Sequence, residues 1–147
     1  MRVLLINGPN LNLLGRRDPD LYGAVTLKEI EDAARERGKA LGAEVECFQS
    51  NSEGALIDFI QERTEGAGGI VINAGALTHY GLSLRDALAD SRLPVVEVHI
   101  SNIQARERWR ARSVVTPVAV GQIAGLGWKG YLSALELLVD RIKEAAQ

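Results

Sequence analysis

The chain has only two histidines, and both stand near the ends of predicted strands. His79 follows the predicted strand Gly69–Ile72, and His99 lies within the predicted strand Val95–Ile100. Glu97 and His99 are two residues apart, so in a strand they project to the same side. A carboxylate there could orient the imidazole or favour its protonated form, which suits a general acid. The spacing alone leaves open that the histidines are only solvated and that Glu97 only pairs with an arginine.

Asparagine, glycine and serine residues gather at the same predicted strand ends. They are Asn7, Gly8 and Asn10 after the first strand, Asn73 after the third, and Ser101 and Asn102 after the fourth. Glycine lets a ligand approach the backbone closely and leaves amides accessible to it. In open α/β sheets, ligands bind outside the carboxyl ends of the strands. These residues therefore predict a ligand site at one edge of a sheet.

The elements that would position these residues alternate between strand and helix. Apolar, β-branched runs predict strands at Val3–Ile6, Val45–Phe48, Gly69–Ile72, Val95–Ile100 and Val118–Val120. The spacing of apolar residues predicts helices from Thr26 to Gly42, Leu56 to Ile60, Leu84 to Leu88 and Leu132 to Ile142, with one or two turns in Ala105–Arg112. This alternation predicts an α/β fold, a flavodoxin-like doubly wound five-stranded parallel sheet with helices on both faces. The length of 147 residues fits a single catalytic domain, residues 1–147.

Two stretches rich in arginine do not fit this regular pattern. The segment Leu11–Val25 lacks periodicity and is predicted to be a long loop, and loops of that length are usually functional or mobile. One of its adjacent arginines, Arg16 or Arg17, could reach a buried site. Later in the chain, arginine occupies every second position of 106–112, so on a helix the arginines four apart would share a face. We interpret Arg108 and Arg112 as a solvated face with Trp109 packed beneath it.

Composition and charge exclude several classes of partner. The formal net charge of -2 favours neither nucleic acid nor an anionic membrane as the main partner. The single cysteine, Cys47, allows no intrachain disulfide and indicates a reducing compartment. The apolar runs are too short to span a bilayer, and the first residues show no secretory signal. We therefore expect a soluble cytoplasmic protein that acts on a small molecule.

Common cofactor and nucleophile motifs are missing from the chain. No G-x-G-x-x-G follows a strand, no G-x-S-x-G elbow occurs, and Pro9 removes an amide that a phosphate loop would use. Two histidines 20 residues apart do not match zinc spacing. Two alternatives stay open from the residues alone: a flavodoxin-like module that binds a nucleotide or flavin, and a non-catalytic assembly protein.

Four stretches together resemble type II 3-dehydroquinate dehydratases nearly end to end. They are Asn7–Gly15 with Arg17, Pro19, Tyr22 and Gly23; Asn73–Ala76 with Thr78, His79 and Leu84–Ala87; Glu97–Asn102 with Ala105–Glu107 and Arg110; and Gly121–Gly127 with Gly130 and Tyr131. The resemblance implies conversion of 3-dehydroquinate to 3-dehydroshikimate in the shikimate pathway of aromatic amino-acid biosynthesis. It also implies a hydro-lyase without metal, organic cofactor or Schiff base. The four lysines agree with the last point, because none stands at a predicted strand end.

The resemblance also implies roles for individual side chains. Tyr22 would be the general base, Arg17 would activate it, and His99 would be the general acid. Asn10 would help to hold a water against the enolate oxygen. A tyrosine is normally protonated near neutral pH, and a guanidinium within a few ångströms favours its ionised form. Glu97 is a supporting residue on the separate ground of its spacing from His99 in the predicted strand.

Substrate binding and assembly are implied in the same way. Asn73 and the backbone at Ile100 and Ser101 would hold the substrate carboxylate, while His79 and Arg110 would bind ring hydroxyls. Asp86 would come from a neighbouring subunit in a homododecamer built from trimers. Three positions depart from the family pattern and leave the helix surface and subunit contacts open: Gln104, Arg108 and Trp109.

Overall fold

Five parallel strands form one sheet in the computed structural model, which describes residues 1–147. The strands are β1 (Arg2–Asn7), β2 (Glu44–Gln49), β3 (Ala67–Asn73), β4 (Val95–His99) and β5 (Gly121–Ala124). Their order in the sheet is β2-β1-β3-β4-β5, and every neighbouring pair is parallel. This is the flavodoxin-like order, so the predicted fold is confirmed.

The chain forms five α-helices, the first of which is a single turn. They are α1 (Pro19–Tyr22), α2 (Leu27–Leu41), α3 (Glu53–Arg63), α4 (Leu82–Ser91) and α5 (Gly130–Ala145). The pair α2 and α5 packs on one face, and the pair α3 and α4 packs on the other. None of the helices is long and apolar enough to cross a membrane.

The continuous apolar run of β1 is explained by these two layers. Val3 and Leu5 belong to the core beneath α2 and α5, whereas Leu4 and Ile6 belong to the core beneath α3 and α4. Successive side chains of a strand point to opposite faces, so a strand buried on both sides must be apolar at every position. Its last residue, Asn7, is polar and yet completely buried, which places an amide beneath the carboxyl edge of the sheet.

The predicted ends of α2 are confirmed. The Thr26 hydroxyl accepts a hydrogen bond from the Glu29 amide at 3.2 Å, which satisfies one of the free amides of the first turn. Gly42 ends the helix with φ 80°, a left-handed conformation that glycine adopts without a Cβ clash.

The prediction of the fifth strand at Val118–Val120 is wrong. Residues Thr116–Val118 form a 3₁₀ helix, and β5 starts at Gly121. Pro117 lacks an N–H and its fixed φ suits the start of such a turn. β5 pairs only with β4 and is therefore an edge strand. Its residues are only partly buried or exposed, so its sequence is less apolar than the run Val118–Val120 that precedes it.

The segment Leu11–Val25, which was predicted to be a long loop without periodicity, contains two short helical turns. A 3₁₀ helix spans Leu11–Leu13, and α1 follows. Pro19 stands at the first position of α1, and the Asp18 carboxylate accepts from the Asp20 amide at 2.9 Å. Aspartate followed by proline is a helix-start signal. The resulting single turn carries Tyr22 and aims it towards the sheet edge.

Candidate active site

A pocket of about 90 Å³ lies at the carboxyl ends of the strands, where the sequence predicted a ligand site. Nine of the predicted site residues line it: Asn10, Arg17, Tyr22, Asn73, His79, His99, Ile100, Ser101 and Arg110. Two others lie outside it, since Glu97 is buried behind His99 and Asp86 is exposed on α4. No lysine lines the pocket. Nowhere in the chain do three His, Cys, Asp or Glu side chains form a cluster that could hold a metal ion.

The hydroxyl of Tyr22 accepts hydrogen bonds from two guanidinium groups. Arg17 donates from Nη2 at 2.9 Å, and Arg106 donates from Nη1 at 2.8 Å. Tyr22 is only 8% exposed, and the Arg17 Cζ lies 4.0 Å from its ring centroid. Two cationic donors on one oxygen in a place shielded from water stabilise negative charge on that oxygen. The arrangement suits a phenolate that accepts a proton from a bound substrate.

Arg106 was missed as a site residue by the sequence reasoning. It lies between the 3₁₀ helices Ile103–Ala105 and Arg108–Ala111, so the predicted helix face shared with Arg110 does not exist. Its guanidinium also donates to the Ser101 hydroxyl at 3.1 Å, which holds it against the pocket wall. Local patterns could not have identified Arg106 as a site residue, because its partner Tyr22 is 84 residues away in sequence. Its position within a family motif was the one available signal.

The surface of the second arginine stretch also differs from the prediction. Arg108 and Arg112 are exposed as expected, but Trp109 is not packed beneath them and is 53% exposed. Its indole meets the His79 ring edge-on with centroids 5.3 Å apart, and the Arg110 Cζ lies 4.1 Å from the indole centroid. Trp109 therefore flanks two pocket residues rather than filling the core.

His99 and Glu97 form a buried pair, as their spacing in β4 predicted. His99 Nε2 lies 2.5 Å from Glu97 Oε2, and the side chains are 5% and 0% exposed. Burial pushes the pKa of Glu97 up, but hydrogen bonds from His99, Thr116 and Ser113 outweigh it and lower that pKa to about 2. A carboxylate ionised at neutral pH only accepts hydrogen bonds, so His99 donates from Nε2. Nδ1 is then the ring nitrogen left for a ligand.

The imidazole of His79 is held by the backbone instead of by a carboxylate. Its Nδ1 lies 2.7 Å from the carbonyl oxygen of Arg112, which can only accept, so Nδ1 carries the hydrogen. Burial is the main reason that the pKa of His79 lies below its ordinary value. A neutral His79 therefore offers Nε2 as a hydrogen-bond acceptor for a hydroxyl of a ligand.

Backbone and amide donors converge where β3 and β4 end. The amides of Ile100 and Ser101 donate to no other group of the protein. Asn73 donates from Nδ2 to the Tyr131 hydroxyl at 2.8 Å, and its Oδ1 accepts from the Gly75 amide at 3.1 Å. These two bonds fix the Asn73 amide at the pocket wall with one N–H left over. Free donors at such an edge are suited to an anionic group such as a carboxylate.

Asn10 stands at the mouth of this edge in a conformation that is uncommon for residues other than glycine. Its φ of 71° is left-handed, and its amide donates to Asn51 Oδ1 at 2.9 Å. Asparagine tolerates this region better than most residues, and such conformations often occur at functional sites. The turn places the neutral Asn10 side chain at the pocket.

Comparison with known proteins decides the family. Residues 1–139 match the family described as Dehydroquinase class II. The 3-dehydroquinate dehydratase of Roseiflexus castenholzii is 59% identical over 139 residues, which are 95% of this chain and 88% of that protein. The chain belongs to the class II dehydroquinase family. The 3-dehydroquinate dehydratase of Halothermothrix orenii is 57% identical over 145 residues, 99% of this chain and 98% of that one.

Solved class II dehydroquinases share the fold described above. The type II dehydroquinase from Butyrivibrio crossotus superposes with a TM-score of 0.91 at 51% identity and covers 94% of this chain and 97% of its own. The enzyme from Propionibacterium acnes gives a TM-score of 0.90 at 43% identity, with 95% and 96% covered. The predicted resemblance is therefore confirmed, and the alternatives of a nucleotide-binding module and of a non-catalytic assembly protein are set aside.

Proposed function

We propose that Tyr22 and His99 carry out the reaction of this family in this chain, the elimination of water from 3-dehydroquinate to give 3-dehydroshikimate. The chain is then a hydro-lyase of the shikimate pathway. The observation that supports the assignment most strongly is the pair of guanidinium donors on the buried Tyr22 oxygen, in the same pocket as His99. An oxygen held in this way can act as a base without a metal or an organic cofactor.

The first step removes the proton beside the substrate ketone. The Tyr22 phenolate takes the proton, while Arg17 and Arg106 compensate its charge before the transfer. The electrons of the C–H bond move onto the ketone oxygen and form an enolate. Asn10 lies at the pocket mouth and, through a water, donates to that oxygen as its charge develops.

The second step expels the hydroxyl group as water. The enolate electrons return to form the carbon–carbon double bond, and the C–O bond breaks. His99 supplies the proton from Nδ1, because Nε2 is engaged by Glu97. Glu97 stays ionised and stabilises the imidazolium form from which the proton leaves. The atoms balance, since one proton is removed from carbon and one joins the departing hydroxyl.

Binding contacts complete the assignment. The free amides of Ile100 and Ser101, with Asn73, receive the substrate carboxylate. His79 accepts from a ring hydroxyl through Nε2, and Arg110 donates to another. Arg110 is held for this by Glu107, whose Oε2 accepts from the Arg110 Nε at 2.7 Å.

The function is tested by ultraviolet monitoring of the purified chain with 3-dehydroquinate. The product is a conjugated enone and absorbs where the substrate does not, so we expect a steady rise in absorbance. Because no lysine lines the pocket, borohydride added together with substrate should leave the rate unchanged. Absence of the enone would contradict the proposed function, and a substrate-dependent, irreversible loss of activity with borohydride would show imine chemistry instead.

We further propose that the enzyme is cytoplasmic and that residues 1–147 form a single catalytic domain. Twelve copies would assemble as a homododecamer built from trimers, in which neighbouring subunits share active sites. Asp86 supports this, because it is exposed on α4 and does not reach the pocket of its own chain. Two apolar side chains near it in sequence are also exposed, Tyr80 at 63% and Leu82 at 61%. Exposed apolar groups of this size favour a contact with another copy.

Shared sites predict that two inactive variants restore each other. Light scattering should give a mass many times 15.9 kDa. Asp86→Ala and Tyr22→Phe should each be nearly inactive alone, but co-expressed chains should regain activity. Regain follows because mixed assemblies contain sites with an intact Tyr22 and an intact Asp86 from a neighbour. A fully active monomer, or no regain in mixed assemblies, would contradict sharing.

A further inference from the structure

The Glu97 carboxylate is surrounded by three hydroxyl groups in addition to His99. Thr116 donates to Oε1 at 2.6 Å, and Thr78 donates to Oε2 at 3.1 Å. The Ser113 hydroxyl lies 2.9 Å from Oε1 and 3.0 Å from Oε2. Glu97 is completely buried and meets no arginine or lysine, so His99 is its only partner that can carry charge.

A buried carboxylate in this setting depends on every donor that it has. Removal of water from an ionised group is costly unless hydrogen bonds replace the lost solvation. Donors on both oxygens also fix the rotation of the carboxylate about its last bond. The direction of that rotation decides where Oε2 sits, and Oε2 is the atom that holds His99.

The two hydroxyls that come from residues 113–116 are forced to donate towards Glu97. The Ser113 Oγ accepts from the amides of Val115 and Thr116, each at 3.0 Å, so its hydrogen points away from them. Thr116 Oγ1 accepts from Gln122 Nε2 at 3.1 Å, which leaves its hydrogen for the carboxylate in the same way. Neither hydroxyl can turn away without breaking another bond.

The same segment is anchored to the other site histidine. The carbonyl oxygen of Arg112 accepts from His79 Nδ1 at 2.7 Å, and the Val114 amide donates to the Thr78 carbonyl at 2.7 Å. Residues 112–116 therefore contact His79 at one end, through the Arg112 carbonyl. At the other end they contact Glu97, which holds His99.

We propose that Ser113 and Thr116 are positioning residues for the acid step, which hold Glu97 in the rotation that keeps His99 Nδ1 aimed at the departing hydroxyl. The inference rests on the proposed function of His99. Loss of either hydroxyl leaves Glu97 short of a donor, so the carboxylate rotates or becomes protonated and no longer fixes the imidazole. The base step does not use this array, because Tyr22 is held by Arg17 and Arg106.

The test compares Thr116→Val, which keeps the side-chain shape but removes the hydroxyl, with Thr116→Ser, which keeps the hydroxyl. We expect Thr116→Val to lower kcat for dehydration about 10-fold, the low end of the effect of losing one hydrogen bond to a charged group. KM should change little. Thr116→Ser should stay near the parent rate, and Ser113→Ala should lower kcat by an amount similar to Thr116→Val.

A second readout separates positioning from general damage. Exchange of the acidic proton of 3-dehydroquinate with solvent deuterium needs the base but not the acid, so it should stay within about 2-fold in the same variants. Ser91→Ala is the matched control, because Ser91 also caps a turn, with its Oγ 3.2 Å from the Leu93 amide, but lies outside the pocket. Thermal unfolding of each variant shows whether it is folded.

The possible outcomes are distinct. Unchanged dehydration in Thr116→Val overturns the proposal, and so does an equal fall in exchange and dehydration in a folded variant. If Ser113→Ala does not fold, the Thr116→Val and Thr116→Ser pair decides alone. If the parent chain forms no enone, the proposed function fails before any variant is compared, and that failure is visible separately.

Discussion

Tyr22→Phe is expected to lower kcat by far more than the ~10²–10⁴-fold that is typical of groups which only assist proton transfer. The substitution removes one oxygen and keeps the aromatic ring of a residue that is only 8% exposed. Arg17 and Arg106 then have no phenolate to stabilise. The nearby carboxylates of Asp18 and Asp20 do not line the pocket, so neither is placed to take the proton instead.

The measurement is the rate of enone formation, together with binding of a product-like acid. Binding should change little, because the proposed carboxylate contacts are at Ile100 and Ser101 rather than at Tyr22. Thermal unfolding of Tyr22→Phe checks that the variant is folded, so that a loss of turnover is not a loss of structure. Near-normal turnover in Tyr22→Phe would show that the base is another group, and His79 would be the next candidate.

His99→Asn is expected to lower kcat for dehydration about 10²–10⁴-fold, the usual contribution of a positioned proton donor. Asparagine keeps a polar side chain beside Glu97 but cannot supply a proton. Exchange of the acidic proton with solvent should fall much less, because Tyr22 and its two arginines remain in place. Dehydration and exchange are measured in the same reaction, by absorbance and by deuterium content of the recovered substrate. An equal fall in both would mean that His99 also takes part in the first step.

Local sequence patterns were sufficient to predict four of the five strands and the sheet edge at which the pocket lies. β1 is apolar from Val3 to Ile6, where it is buried on both faces, and β4 places Glu97 and His99 on one side because strands have a period of two. These features depend on neighbours in sequence. The carboxyl ends of parallel strands then meet at one edge for topological reasons, so the strand-end residues meet there as well.

The contacts that complete the site depend on distant parts of the chain. Arg106 reaches Tyr22 across 84 residues. Thr116 reaches Glu97 from a 3₁₀ turn that overlaps the predicted strand Val118–Val120 only at its last residue. Periodicity carries no information on such contacts, because they depend on the direction in which an irregular segment leaves the sheet. The edge strand β5 was misplaced for a related reason, since a half-covered strand lacks a strong apolar signal.

The two arginines on the Tyr22 oxygen come from segments that are far apart in the chain, one before α1 and one between two 3₁₀ helices. Both segments lie outside the sheet and have few backbone bonds to it. Irregular segments of this kind open locally with a lower free energy than the core strands require. The fraction of molecules in which the Tyr22 oxygen keeps both donors is therefore governed by the joint docking of two surface segments. We expect a substitution that loosens either segment to lower activity while the global free energy of unfolding stays unchanged.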